Sequence, residues 1–329
     1  MVDSYVRIDE SLPSLNASGE GDGTVVISNR RRDRVRLIEL QAVLGSLDAE
    51  VPINRVVIDA SSRLTSLEFL HELPKLRSLS ILGKEVVDFR GLQGLRIVSL
   101  QLAGMGSRRR DLSVLAELPL EDLDIRIQNK VEQAFVSACA SVRSLTIRNW
   151  LGPDVNALRS LNLSRMNLIG GIQETINGYG KWQLSKCLFA RCRNLRRVEE
   201  LTARIIDIED CRSFDLDGIG RTCEVNTLQY LKGRPIKGMG FLRNVKGLRN
   251  VVITSSKVDP STLKDGLLNT AIRTMFVEGL SNVKVREIGA ELSDLTITNG
   301  KVCYSNGSVV SIEHYYSQFE LWQNVAEFN

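Results

Sequence analysis

The apolar residues between Leu67 and Leu82, in the stretch LEFLHELPKLRSLSIL, change their spacing from three residues to two. Leucine occupies positions 67, 70, 73, 76 and 79, and Ile81 follows two places after the last of them. A period near three is typical of a helical or turning segment, and a period of two is typical of a strand with one buried face. The stretch therefore predicts a turning segment that leads directly into a strand.

The same strand pattern, two apolar residues separated by one, recurs along most of the chain. The intervals between successive pairs run from 16 to 24 residues and cluster near 22. Such a period predicts one stack of repeats, because no single repeat could bury its own apolar face. The pairs are Val56/Ile58, Leu79/Ile81, Leu100/Leu102, Leu123/Ile125, Leu145/Ile147, Leu161/Leu163, Trp182/Leu184, Ile206/Ile208, Leu228/Tyr230, Val251/Ile253, Met275/Val277 and Leu295/Ile297.

These repeats resemble the leucine-rich repeat family in its short class of about 22 residues, with the signature L-x-x-L-x-L-x-x-N/C-x-L. Leu112, Leu115 and Leu118 precede the pair Leu123/Ile125 in the same way as the leucines of the first stretch. The resemblance implies an α/β solenoid, a leucine-rich repeat horseshoe with a concave parallel β-sheet, about 12 irregular repeats and a cap at both ends.

Two departures from the family predict an irregular solenoid. Three places after the second strand residue, where the family usually has asparagine, this chain has none, and Cys187 and Cys211 occupy that place in two repeats. We expect these two cysteines to pack in the turns. The interval from Leu145 to Leu161 is only 16 residues and contains Gly152-Pro153, which predicts a bare loop.

Three regions follow from where the repeats begin and end. Residues 1–50 are predicted to be an N-terminal cap: a hairpin of strands near residues 5–8 and 24–27, then a helix with Ile38 on its apolar face that ends near Gly45. Residues 51–300 are predicted to form the solenoid. Residues 301–329, with a turn at 305–308, are predicted to be the C-terminal cap.

The outward strand positions give the candidate binding surface, because the concave face is the usual binding face of the family that the repeats resemble. Charges of both signs fixed on a preformed face give orientation and specificity, so they predict a protein partner. The alternative is that they are solvated charges, and Phe276 is either an exposed anchor or buried under the C-terminal cap. The candidates are Asp124, Arg126, Arg148, Arg165, Lys186, Asp207, Glu209 and Phe276, with Arg165 and Lys186 expected one place beyond the second outward row.

Three arginine-rich runs, at 30–36, 108–110 and 191–197, leave a nucleic-acid role open. They have few aromatic neighbours on which bases could stack, and the net charge of the chain is only +4. We therefore expect these arginines to form a solvated loop surface, with nucleic-acid binding as the alternative.

Residues that could carry chemistry are sparse. The six cysteines contain no CxxC pair, the only histidines are His71 and His314, and no glycine-rich segment ends in GK[ST]. The sequence therefore predicts no enzyme, no cofactor and no metal site. An acidic N-terminus and the lack of an apolar run of about 18 residues predict a cytoplasmic chain without a membrane span.

The predicted function is a non-catalytic scaffold for another protein, in a setting such as a bacterial immunity protein or an adaptor. A nucleic-acid-associated protein is the second interpretation and an enzyme the third.

Overall fold

The computed structural model describes residues 5–9, 15–18, 23–29, 37–104, 110–259, 262, 272, 274–278, 295–298 and 301–305. The chain divides into two compact units. The first comprises Met1–Arg148 and Ser160–Asn162, and the second comprises Asn149–Arg159 and Leu163–Asn329. Within the described residues, no helix is long and apolar enough to cross a membrane.

In the first unit, the strands from β3 to β8 lie side by side in chain order and pair in parallel. The strands are β1 (Tyr5–Asp9), β2 (Leu15–Ser18), β3 (Thr24–Ser28), β4 (Arg55–Ile58), β5 (Ser78–Ile81), β6 (Ser99–Leu102), β7 (Asp122–Arg126) and β8 (Ser144–Arg148). The connections contain helices α1 (Leu37–Glu50) and α2 (Lys130–Ala138) and the 3-10 helices Glu68–Glu72, Arg90–Leu92 and Ser113–Glu117.

The leucines upstream of β5 build 3-10 turns. The N–H groups of Leu70, Leu73 and Leu76 each donate to the carbonyl three residues earlier, at 3.0 to 3.1 Å. A 3-10 helix has three residues per turn, so a leucine at every third position falls on one face. All of these leucines are at most 1% exposed. The spacing of three therefore corresponds to a 3-10 turn, and the spacing of two to the strand that follows it.

The paired apolar residues of β3 to β8 form the core of the first unit. From Val25 and Ile27 to Leu145 and Ile147, every inward strand residue is at most 2% exposed. Each sits opposite the equivalent residue of the next strand, as Leu79 does with Val56 and Leu100. Burying one such side chain contributes about 1.5–3 kcal/mol, and in this arrangement only neighbouring repeats can supply the contacts.

In the second unit, β9, β11, β13, β14, β15 and β16 pair in parallel and in chain order. The strands are β9 (Arg165–Ile169), β10 (Thr175–Asn177), β11 (Gln183–Ala190), β12 (Arg197–Glu199), β13 (Thr202–Glu209), β14 (Glu224–Leu231), β15 (Asn250–Thr254), β16 (Thr274–Glu278), β17 (Leu295–Thr298) and β18 (Lys301–Ser305). The connections contain α3 (Phe241–Asn244) and the 3-10 helices Asn156–Leu158 and Leu216–Gly218. Both units are α/β solenoid-like stacks with a parallel sheet, and the predicted fold class is confirmed.

A left-handed residue follows immediately after each strand from β9 to β15 in the main sheet of the second unit. In the turns after β9, β11, β13 and β14, the N–H group of this residue donates to the carbonyl of the last residue of the next strand, at 2.7 to 3.0 Å. A non-glycine residue in this region costs about 1–2 kcal/mol, so this hydrogen bond and the turn that it closes offset a local strain. The residues and their φ angles are Gly170 (72°), Arg191 (56°), Asp210 (48°), Lys232 (52°) and Ser255 (54°).

Tyr230 is buried at the inward end of β14 and ties the following turn to the preceding repeat. Its hydroxyl donates to the carbonyl of Phe214 at 3.0 Å and accepts from the N–H of Arg234 at 2.8 Å. A Cβ at Gly233 would overlap the Tyr230 ring, so the turn requires glycine there. Burial raises the pKa of Tyr230 to about 12.

The predicted register is wrong in two repeats. The inward pairs there are Met166/Leu168 in β9 and Cys187/Phe189 in β11, not Leu161/Leu163 and Trp182/Leu184. Met166 follows Leu145 by 21 residues and Cys187 follows Met166 by 21, so the short interval of 16 residues does not exist. The segment around Gly152-Pro153 is not a bare loop, because the 3-10 helix Asn156–Leu158 lies in it.

The corrected register also moves the cysteines. Cys187 is an inward strand residue, so its prediction as a turn residue is wrong. Cys192 and Cys211 occupy the turn position in successive repeats. The Sγ of Cys211 donates to the carbonyl of Phe189 at 3.2 Å, and the Sγ of Cys192 donates to that of Leu168 at 3.4 Å. These thiols satisfy carbonyls near the ends of strands β11 and β9, one repeat away, as a side-chain ladder would.

Both ends differ from the predicted caps. Near the N-terminus, β1 pairs with β3 in parallel and with β2 antiparallel, so the predicted hairpin is wrong and parallel pairing already begins at β1. Helix α1 continues past Gly45 to Glu50, and Ile38 is 82% exposed rather than on an apolar face. Near the C-terminus, β17 pairs with β18 antiparallel and is not a twelfth parallel repeat. The predicted turn at 305–308 and the residues after it lie outside the described chain.

Candidate functional site

The outward strand positions form rows across each sheet, because residues that are Cα partners in the register point the same way. In the first unit the central row is mostly small and polar. It runs through Val57, Ser80, Gln101, Asp124 and Thr146. In the second unit the central row runs through Asn167, Leu188, Asp207, Gln229, Val252 and Phe276.

The candidate charges of the first unit form a fixed ion pair. Arg148 donates through Nε and Nη2 to the two carboxylate oxygens of Asp124, at 3.1 and 2.8 Å. Gln101 Nε2 also donates to Asp124 at 3.1 Å. The side chains of Arg148 and Asp124 are 30% and 19% exposed, so both remain accessible at the surface. Arg126 is half-buried on the neighbouring strand as the Cα partner of Arg148.

The candidate charges of the second unit are also paired across strands. Lys186 Nζ lies 3.2 Å from Asp207 Oδ2, and Lys232 Nζ lies 3.8 Å from Glu209 Oε1. The Asp207 side chain is only 10% exposed. Burial raises the pKa of the Asp207 carboxyl above its usual range, and the nearby Lys186 ammonium opposes that shift.

Arg165 and Lys186 are Cα partners of each other in the first outward row, which lies two residues before the central row in each strand. They do not lie beyond the second outward position, where the sequence analysis placed them. The prediction placed them wrongly because it used the shifted register of β9 and β11. In each unit one acidic and one basic candidate are joined by an ion pair, Asp124 with Arg148 in the first and Asp207 with Lys186 in the second.

Phe276 is not an exposed anchor. It is 2% exposed in β16, and its neighbour Val252 in the same outward row is 3% exposed. The backbone of β18 lies beside it, with Cys303 as its Cα partner. The structure therefore agrees with the alternative of a buried Phe276, and this residue leaves the candidate surface.

The arginine-rich runs have three different outcomes. Residues 30–36, 108 and 109 lie outside the described chain. Arg110 is buried with Glu132, at 5% and 0% side-chain exposure, with Nη2–Oε2 at 2.8 Å and Nε–Oε1 at 3.0 Å. It is therefore not part of a solvated surface. In the third run, the side chains at 191, 193, 196 and 197 are all exposed.

A polar depression of about 210 Å³ lies over β11, β13, β14 and β15 of the second unit. Sequence reasoning missed it, because two of its residues, Arg204 and Asn226, stand one place before the first outward row. The signal that could have found it is a polar residue at the same repeat position in adjacent strands. The lining residues are Lys186, Arg204, Ile205, Asn226, Thr227, Gln229 and Asn250.

The cysteine side chains at 139, 187, 192, 211 and 223 are free thiols buried in the protein. Burial raises the pKa of Cys139 to about 11, and burial is also the largest cause that raises the pKa of Cys223. For Cys192, a hydrogen bond with Cys211 and burial both raise the pKa. The protonated, buried thiols of Cys139, Cys192 and Cys223 are therefore poor nucleophiles and metal ligands. Within the described residues, no group of three or more histidine, cysteine or acidic side chains is placed to hold a metal ion.

No family model matches the chain, and no curated protein is similar to it in sequence.

Proposed function

We propose that the chain is a non-catalytic scaffold of the leucine-rich repeat class that binds another protein through outward sheet residues, in the cytoplasm. Within that class, we propose a role as a bacterial immunity protein or an adaptor. The fold and the charge array support the mode of binding, and the setting rests on analogy between proteins of this architecture.

The observation that carries the proposal is the Asp124–Arg148 pair. Its two hydrogen bonds hold both side chains in one geometry on a rigid sheet, while each side chain remains partly exposed. A charge array that is already ordered loses little conformational entropy when a partner docks. Complementary charges also steer the encounter and suppress wrong partners. Asp207 and Lys186 give the second unit a comparable pair.

The test is a charge swap that preserves the pair but inverts the charges that a partner meets. The variant D124R/R148D should retain the secondary structure and most of the thermal stability, because the two charges still face each other. We expect its affinity for a protein captured from the native host at physiological salt to fall at least tenfold. The captured protein is identified by mass spectrometry and its affinity is measured by titration.

The matched control is D210R/R212D, a swap of the exposed Arg212 and the half-buried Asp210, which pair at 3.2 Å in the turn after β13 and not on the sheet face. It should bind the partner as the wild type does. A folded D124R/R148D variant with unchanged affinity would contradict the proposed use of this face. Capture of no protein at all by the wild-type chain would contradict the scaffold function itself.

A nucleic-acid role is the second candidate, and the exposed arginines of the 191–197 turn favour it. Binding through phosphate contacts weakens steeply with added salt, because condensed counterions are released on binding. The capture is therefore repeated after nuclease treatment and at two salt concentrations. Loss of the captured material with nuclease would replace the scaffold proposal with this one.

A further inference from the structure

The polar depression of the second unit has a buried floor and a charged rim. Thr227 and Ile205 form the floor, at 6% and 8% exposure. Arg204 and Asn226 on the rim are exposed, and Lys186 is half-buried. Arg204 and Asn226 come at the equivalent place in β13 and β14, one residue before the regular first outward row. Two adjacent repeats thus direct polar side chains to one place.

Hydrogen bonds inside the depression occupy two of its acceptors, the Asn226 amide oxygen and the Thr227 hydroxyl oxygen. Asn226 Oδ1 accepts from Thr227 Oγ1 at 3.1 Å and from Asn250 Nδ2 at 3.3 Å. Asn250 Nδ2 also donates to Thr227 Oγ1 at 3.1 Å. What remains for a ligand is therefore mainly the N–H donors of Arg204, the Asn226 amide and the Lys186 ammonium.

The charged residues that line the depression, Arg204 and Lys186, are both positive. Lys186 is balanced by the buried carboxylate of Asp207 at 3.2 Å. Arg204 forms no ion pair with any acidic residue in the described part of the chain, and the only acidic neighbour in the adjoining depression is the exposed Glu224. An exposed guanidinium presents two parallel N–H groups whose geometry matches a carboxylate. One unbalanced cation suits a singly charged ligand better than a phosphate dianion.

We propose that this depression is a subsite for an aspartate or glutamate side chain of the protein partner, with Arg204 as the main charged ligand and Asn226 as an additional donor. The proposal rests on the proposed scaffold function and names the partner chemistry that the second unit recognises. The carboxylate would accept two hydrogen bonds from Arg204 and a third from the Asn226 amide, over the apolar floor of Ile205.

The first experiment needs no partner. The full chain carries ¹⁵N-labelled arginine, and the Nε–Hε resonance of Arg204, assigned by its absence in R204Q, is followed during titration with N-acetyl-glutamate α-amide. We expect a saturable shift at millimolar concentration with this probe and at least a tenfold weaker response to N-acetyl-glutaminamide. R221Q, which removes an exposed arginine outside the depression, should leave the Arg204 shift unchanged. Equal responses to the two probes, or tenfold tighter binding of inorganic phosphate, would overturn the subsite.

The second experiment uses the captured partner. R204Q should lower its affinity at least fivefold, R204K should recover part of the loss, and R221Q should have no effect. If R204Q binds as the wild type does while D124R/R148D fails to bind, the subsite is wrong and the scaffold function stands. If the wild-type chain captures no protein, the scaffold function fails and a protein carboxylate is rejected as the occupant, whatever the small probe does.

Discussion

The buried ion pair between Arg110 and Glu132 gives a demanding test of how neighbouring repeats are held together. Glu132 accepts from two guanidinium nitrogens of Arg110 and from the N–H of Gln128 at 2.8 Å. Arg110 Nη2 also donates to the carbonyl of Arg126 at 2.8 Å. The pair therefore fixes the turn between β7 and α2. The substitutions R110M and E132L remove one charge each, and the double variant removes both.

The expected magnitude follows from burial. Each single variant leaves one uncompensated charge in a site where both side chains are at most 5% exposed. Breaking a buried pair in this way costs about 3–5 kcal/mol, a large fraction of a typical total stability of about 5–15 kcal/mol. Replacing both partners by apolar residues leaves no uncompensated charge, so the double variant should lose less than either single variant. Its remaining loss, about 1–3 kcal/mol, comes from the hydrogen bonds that Gln128 N–H and the Arg126 carbonyl no longer make.

The assay is equilibrium unfolding in urea followed by far-UV circular dichroism. Amide hydrogen exchange of the segment from β7 to α2 reports whether the loss is local or spreads through the unit. The matched control is R90M, which removes an arginine paired with Asp88 at 2.6 Å on the surface. That pair is at least as short, but solvent screens it, so no measurable change is expected.

Two results would refute the reasoning. One is a single variant, R110M or E132L, no less stable than R90M. The other is a double variant whose loss equals the sum of the two single losses. Either would mean that Arg110 and Glu132 do not act as a desolvated pair.

Three further predictions test the turns, the pH dependence and the register. Arg191→Gly should raise the free energy of unfolding by up to about 1 kcal/mol, because glycine adopts the left-handed backbone without strain. The control Arg193→Gly changes a neighbouring exposed arginine whose φ is not positive, and it should lower the free energy of unfolding by about 0.5–1 kcal/mol in the same urea assay. The pKa of Tyr230 is about 12 in the folded chain against about 10 in the unfolded chain, so its contribution to stability is complete below pH ~10 and is lost as the pH rises towards ~12. The melting temperature of Tyr230→Phe should therefore fall less steeply than that of the wild type between these two pH values. Leu79→Ala should cost about 2–5 kcal/mol and Ser80→Ala little, since only Leu79 lies in the core, and equal losses would contradict the register.

The repeat period predicted the parallel sheet well because burial on one face forces alternation in every strand. It failed where two apolar pairs compete within one repeat. Leu161 and Leu163 are 3% and 2% exposed, so they show the same pattern as a strand although they precede β9. An apolar pair indicates burial but does not by itself indicate a strand. Only the spacing of 21 residues from Leu145 to Met166 distinguishes the strand pair of β9 from the pair Leu161/Leu163.

The candidate site was less predictable, because side-chain partners are set by stacking. Arg110 looked like one of three solvated arginines in sequence, yet its partner Glu132 is 22 residues on, one repeat away. The same holds for Asn226 and Asn250, separated by 24 residues. Comparing residues one period apart for opposite charge or for donor and acceptor would have found these contacts. The burial of Phe276 could not be found that way, since it depends on the antiparallel strand β18.

The strand order within each unit also determines how it would respond to force. From β3 to β8, and from β9 to β16 in the main sheet, neighbouring strands follow one another in the chain, so tension applied along either series loads one strand-to-strand ladder of hydrogen bonds at a time. Each ruptured repeat of about 22 residues releases at most about 70–80 Å of extended chain. Each of these two strand series should therefore lengthen in a succession of small steps at low force.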